Sequence, residues 1–289
     1  MASSNVPQNA TSPGSLSQAP AEKPSAPPVN VLPSPLAQTY SLVHPLVLLG
    51  LCAYRFEALV ANPAQELLAD LPWLAALQFV YVICCLPPAG SSSSEAHVGV
   101  EDKKKASRSS AGSSTPVRSG KVLHRRKSPS KISWASVWSR LMPACLAFGL
   151  TSLLATPAIA VLLVLFGAPL TTHNVETFLC AAHMGLLSST ALVYVHGVDS
   201  DIWKEVGGIS RPADVVWGSA LGTGLGAWFG AIPIPLDWDR PWQAFPITIV
   251  IGAYIGHALG GLISRTSLLY GKRIQFAPEQ VHEDEKKTN

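Results

Sequence analysis

The sequence predicts an all-α, polytopic membrane protein with six transmembrane helices. Three observations carry this. The 289 residues are 48% hydrophobic and only 13% charged, where an average soluble domain carries about a quarter charged residues. The few charges cluster in residues 95–140 and after Arg265, leaving apolar runs of about 20 residues, the length a helix needs to cross a bilayer. A soluble α/β chain of this length would not show several such runs.

Residues 1–40 are rich in Pro, Ser, Ala and Asn with one Lys and one Glu, a composition expected to stay disordered. No basic-then-apolar opening marks a cleaved leader, so the first span is expected to serve as the targeting signal. Spans one and two are expected at about 41–60 and 67–86, forming a 41–86 unit. A low-complexity, Lys/Arg-rich linker follows over 87–140, including "EDKKKASRSS" and "LHRRKSPSK", and reads as an unstructured spacer. Just before span three, Trp134 and Trp138 stand where an interfacial aromatic belt would lie. Spans three to six are expected at about 142–166, 175–197, 213–232 and 245–264, within a 141–264 core, and residues 265–289 form a second tail. Pro157 after Thr156 is expected to disturb span three.

Orientation follows from basic residues, which are retained on the cytosolic side during insertion. With the N-terminus cytosolic, 19 of the 21 Lys and Arg fall on the cytosolic side, and the opposite face receives Arg240. Both termini are then cytosolic, and the segment between spans five and six faces the lumen. The closing "KKTN" places Lys286 and Lys287 where a dilysine signal for endoplasmic-reticulum retrieval would stand; such a signal is an address, not an anchor. The five cysteines all lie in or beside apolar runs without paired spacing, which excludes a disulfide framework or a zinc site as a sequence-level expectation. Cys84 and Cys85 read as buried rather than as palmitoylated at the membrane edge.

Spans five and six carry the clearest pattern. Gly218, Gly222, Gly226 and Gly230 recur every four residues, as do Gly252, Gly256 and Gly260. On a helix this spacing flattens one face. Membrane helices associate through close packing that small residues permit, so a Gly-zipper contact is expected, either within a hairpin or with another protein. Arg55 and Glu57, two apart, cannot pair; Arg55 is expected to meet Asp70 of span two. His183, His196 and His257 are expected to bond neighbouring helices rather than to do chemistry.

The stretch "GAIPIPLDWDRPWQAFPI" at 230–247 bridges spans five and six. Asp237 and Asp239 form a D-x-D that could hold a metal, but metal-assisted transfer needs further ligands and a base, and no other luminal acidic cluster stands nearby. The alternative function is thus a lipid-handling membrane enzyme or transporter using Asp237 and Asp239. The favoured reading is a rigid recognition element: Pro233, Pro235 and Pro241 stiffen it, Trp238 and Trp242 sit at headgroup level, and Arg240 is expected to pair with either Asp. No metal, cofactor or nucleic-acid partner is expected.

"GAWFGAIPIPLDWDRPWQAFPI", with "FGAPLTTHNVETFLCAAHMGLL" carrying Gly167, Pro169, Leu170 and Thr171, closely resembles the PIG-F family, and the basic linker and N-tail look like its fungal members. The resemblance covers about 141–264, more weakly spans one and two. It implies a non-catalytic endoplasmic-reticulum membrane subunit that binds and stabilises ethanolamine-phosphate transferases of glycosylphosphatidylinositol (GPI) anchor synthesis. The implied partners are large multi-pass PIG-O-like and PIG-G-like transferases and membrane lipids.

Overall fold

A computed structural model describes residues 27–91, 134–236 and 238–273. These residues form helices and no strand. The basic linker over 92–133, Asp237, and the tail with Lys286 and Lys287 lie outside the described residues.

Helix α1, Pro35–Tyr54, starts where Ser34 accepts a hydrogen bond from the Ala37 amide at 3.2 Å and Pro35 occupies the first helical position. A proline there costs nothing, because that amide has no intrahelical acceptor. The short α2, Phe56–Ala61, and the long α3, Pro63–Cys85, follow, with Pro63 again opening its helix. Trp134–Leu150 forms α4, and Thr156–Leu165 forms α5. Between them Thr151–Ala155 makes a π turn. The disturbance expected at Pro157 takes this form, since proline cannot donate to the preceding turn. The Thr156 hydroxyl, donating to the Thr151 carbonyl at 3.1 Å, satisfies part of what the wider register frees.

Asn174–His196 is α6, Ser200–Gly207 is the short α7, and Val215–Ala231 and Ile247–Ile263 are α8 and α9. Four helices are long and apolar enough to cross a membrane: α1, α3, the continuous 137–165 stretch and α6. The expected fifth and sixth spans are helices of 17 residues each, roughly 25 Å long, slightly less than a hydrocarbon core of about 30 Å.

The bundle is organised around α6, which packs against α3, α4, α5, α8 and α9 and is mostly buried beyond its first turns, as a central helix must be. One apolar core joins Leu67, Leu163, Leu179, Ile247 and Tyr254 toward the bridge end. A second joins Val29, Tyr81, Cys85, Tyr194 and Val216 toward the other end.

The N-terminal boundary differs from the expectation. Residues 27–40 do not belong to the tail: Val29 is buried and its amide donates to Asp214 Oδ2 at 3.0 Å, and the Leu32 amide donates to the Cys85 carbonyl at 2.9 Å. A strap rich in proline orders itself here because distant residues supply its partners. Cys85 is buried, its thiol against the Ala37 carbonyl, while Cys84 is half-buried.

Candidate functional site

The α8–α9 hairpin and its bridge form the candidate site. Asp214 opens α8, its Oδ1 accepting from the Trp217 amide at 2.8 Å, which satisfies a donor that a helix start leaves open. Arg211, almost fully buried, stands 3.8 Å from Asp214 Oδ2 and 3.6 Å from Glu205. Burial pulls its pKa down, and the two carboxylates oppose that.

Along the hairpin the glycines face one another. A Cβ on Gly222 would stand 2.1 Å from the Gly256 carbonyl oxygen, one on Gly226 2.0 Å from that of Gly252, and one on Gly260 2.1 Å from that of Gly218. Gly230 is set against the backbone of Thr248. The close approach is thus backbone to backbone within the chain, where nothing larger than hydrogen fits. Gly224, on the other side of α8, faces open space.

Drawing the two backbones together leaves a crevice over the seam. It has a volume of about 640 Å³ and runs from Pro233 and Trp242 at the bridge to Ile263 at the far end. Its walls are apolar, with Leu225, Phe229 and Ile255 44–59% exposed.

The bridge is held by a residue the sequence reading passed over. Gln243 is buried; its Nε2 donates to the Pro233 and Leu236 carbonyls, each at 2.7 Å, and its Oε1 accepts from the Arg240 amide at 3.0 Å. Both carbonyls also accept from nearby backbone amides, those of Leu236 and Trp238, so the Gln243 side chain adds a cross-link that ties the two turns of the bridge together. Pro241 opens the short 3₁₀ turn Pro241–Gln243 that aims Gln243 inward. Trp238 packs edge-on against Trp242 with ring centroids 5.9 Å apart. Pro235, Trp238, Asp239 and Arg240 are exposed, and Asp239 adopts a left-handed φ of 51°. The expected pairing of Arg240 with Asp239 does not form among the described residues; pairing with Asp237 lies outside them.

The second family segment lies beside the bridge. Gly167 ends α5 with φ +99°, a conformation that favours glycine at a helix C-terminus. Pro169 accepts from the Thr177 hydroxyl at 2.9 Å, Leu170 and Thr171 are exposed, and the His173 ring contacts Phe245 at 6.4 Å. At the same end Arg55 meets Asp70 at 2.8 Å, as expected, and also pairs with Glu66.

The histidines do not converge on Asp239. His183 is buried between the Tyr254 hydroxyl and the Leu67 carbonyl, both at 3.0 Å, and His257 faces Thr223 at 3.5 Å. His196 closes α6 at the end away from the bridge. Among the described residues no three His, Cys, Asp or Glu side chains gather as metal ligands would.

Comparison with known proteins follows the same segments. The sequence model described as "GPI biosynthesis protein family Pig-F" matches residues 43–265. Glycosylphosphatidylinositol anchor biosynthesis protein 11 of Aspergillus fumigatus is 57% identical over 276 residues, covering 92% of each chain. The Neurospora crassa protein of the same name is 42% identical over 246 residues, covering 85% of this chain and 80% of its own. A human protein named "GPI ethanolamine phosphate transferase, stabilizing subunit" is 35% identical over 119 residues, covering 39% of this chain and 53% of its own. No solved structure matches. The family match takes in both segments at the bridge end and every helix from within α1 to the end of α9: the chain belongs to the PIG-F family.

Proposed function

We propose that this chain is a non-catalytic membrane subunit that binds and stabilises ethanolamine-phosphate transferases of GPI-anchor synthesis. The observation that carries the reading is the human relative, named as the stabilizing subunit of such a transferase, together with relatives named for GPI-anchor biosynthesis along almost the whole chain.

The finer reading places the protein in the endoplasmic reticulum membrane, with α8 and α9 as fifth and sixth spans, the bridge in the lumen and both termini cytosolic. Charge supports this: Arg140, Arg211, Arg265, Lys272 and Arg273 lie at the end away from the bridge, and the bridge end carries Arg55 and Arg240. The partners are PIG-O-like and PIG-G-like transferases, and they dock on the α8–α9 crevice and the adjoining bridge. The crevice runs nearly the full height of two membrane helices and carries no charged side chain. A spanning helix fits that length and chemistry. A lipid of one leaflet would cover only half of it.

The glycines serve this indirectly, by shaping the hairpin. Their replacement would unpack the subunit itself, so the test uses the walls instead. Leu225→Trp combined with Ile255→Trp fills the crevice without touching the glycine seam. Affinity purification in mild detergent should then recover much less transferase while the variant's own unfolding midpoint stays unchanged. Undiminished recovery would refute docking at the crevice.

A further inference from the structure

We propose that a cleft between α1 and α9, separated from the crevice described above by Leu259, binds one anionic glycerophospholipid. Its phosphate meets Arg265 and an acyl chain lies between the helices.

The sequence builds the site through Pro45. Lacking an amide hydrogen, Pro45 leaves the Ser41 carbonyl, one turn earlier in α1, without its helical donor. Arg265, just past the end of α9, takes that place: Nη2 donates to the Ser41 carbonyl at 2.8 Å and Nη1 to the Ser41 hydroxyl at 3.0 Å. These two bonds fix a guanidinium that would otherwise reach freely toward water. No carboxylate among the described residues stands within 4.0 Å of it. The buried carboxylate of Asp214 is committed to the Val29 and Trp217 amides. A fixed positive charge with no carboxylate paired to it among the described residues therefore stands at the mouth of the cleft.

Below it the cleft has a volume of about 390 Å³, within the range of small-ligand sites. Leu42, Leu46, Leu259 and Leu262 form its rim and are 51–66% exposed, so the opening faces the bilayer. Its floor is His44, stacked on Tyr81 at 4.4 Å and set 6.3 Å from His257. The buried His44 Nε2 has no partner. Apolar walls, a polar floor and a charged mouth suit an amphiphile, in contrast to the uncharged α8–α9 crevice. The same end of the molecule carries Lys272 and Arg273, whose field gathers anionic lipid.

The isolated full-length chain tests this independently of any transferase. After delipidation it is mixed with phosphatidylcholine vesicles containing phosphatidylserine, or separately with sn-glycerol 3-phosphate, and native mass spectrometry counts what is retained. One phosphatidylserine per chain is expected, preferred over phosphatidylcholine by about fivefold. Arg265→Gln should bring the two lipids to parity, and Arg265→Lys should keep most of the preference. Ala258→Phe, which narrows the cleft from α9, should reduce retention of both. An unchanged preference in folded Arg265→Gln would overturn the proposal. So would equal retention of glycerol 3-phosphate, which would make the site an anion site. Should Arg265→Gln fail to fold, undiminished lipid retention in Ala258→Phe overturns it alone.

Discussion

Alanine in place of Gly222 adds a single methyl to a helix that alanine otherwise favours. That methyl would stand 2.1 Å from the Gly256 carbonyl oxygen and 2.9 Å from the Gly260 Cα, where ordinary contact begins near 3.4 Å. Both obstructing atoms are backbone, so no side-chain rotation relieves the clash. The helices must part by more than an ångström, which unpacks the whole seam. Overfilling a packed site costs about 1–3 kcal/mol, and the helical preference for alanine returns up to about 1 kcal/mol. A net loss of about 1–2 kcal/mol follows. Gly224, two residues along the same helix, is the internal control: a methyl there meets nothing within 4 Å. Gly224→Ala keeps only the helical gain and should be neutral or stabilising by up to about 1 kcal/mol. Titration of the purified chain from mild detergent into SDS, followed by tryptophan fluorescence, reads both as shifts of the unfolding midpoint. The two variants should move it in opposite directions or, at the least, differ by about 1 kcal/mol. Equal shifts would show that the seam does not bear on stability, and the reasoning would be wrong.

Three further outcomes follow from the same geometry. Gln243→Ala removes three bonds at the bridge, and at about 1 kcal/mol each it should lower stability by about 2–3 kcal/mol and open the bridge to proteolysis between Pro233 and Trp242. Asp214→Ala strips the α8 cap and the Val29 anchor and leaves buried Arg211 facing Glu205 alone; a loss of about 3 kcal/mol should appear as a lower midpoint and faster hydrogen exchange at Val29 and Trp217. Arg55→Ala leaves Glu66 and Asp70 adjacent without their cation. Because these groups are partly exposed, the loss should be only about 1 kcal/mol, measured by the same titration, and Asp70→Asn in the same chain should recover part of it.

The parts legible in the sequence are those in which local spacing dictates geometry. Glycines four apart on two neighbouring runs leave facing flat strips, and α8 and α9 begin and end within two or three residues of the expected spans. Arg55 and Asp70 were legible as partners because the turn between their helices sets both at the same depth. Helix α4, at the expected third span, starts earlier than its apolar run, at Trp134 rather than 142, because helical hydrogen bonding continues into the polar flank after hydropathy fades. The strap at 27–34 was not legible: its order depends on Asp214 and Cys85, far along the chain, and composition carries no trace of them. Gln243 was nearly so. It lies within the quoted bridge motif, and an amide side chain is the residue type able to donate and accept across a proline-rich bridge, but its inward aim depends on the 3₁₀ turn at Pro241–Gln243, which spacing alone does not show.

The charged groups of Asp239 and Arg240 are exposed, yet no ion pair of theirs among the described residues holds the bridge in shape. Gln243 does so from beneath, and it ties the bridge to Pro233, which also lines the top of the crevice. Below that point the crevice has its form from glycine backbones rather than from rotatable side chains. In the docking proposed above, bridge and crevice act as one surface whose shape is set within the chain itself. Little ordering entropy then remains to be lost on binding, which is the condition under which a modest, largely apolar contact becomes stable. A subunit that stabilises another protein needs this rigidity more than it needs reactive groups. The buried bonds of Gln243 and the seam of glycines should therefore govern transferase recovery more strongly than the charge of Asp239 or Arg240.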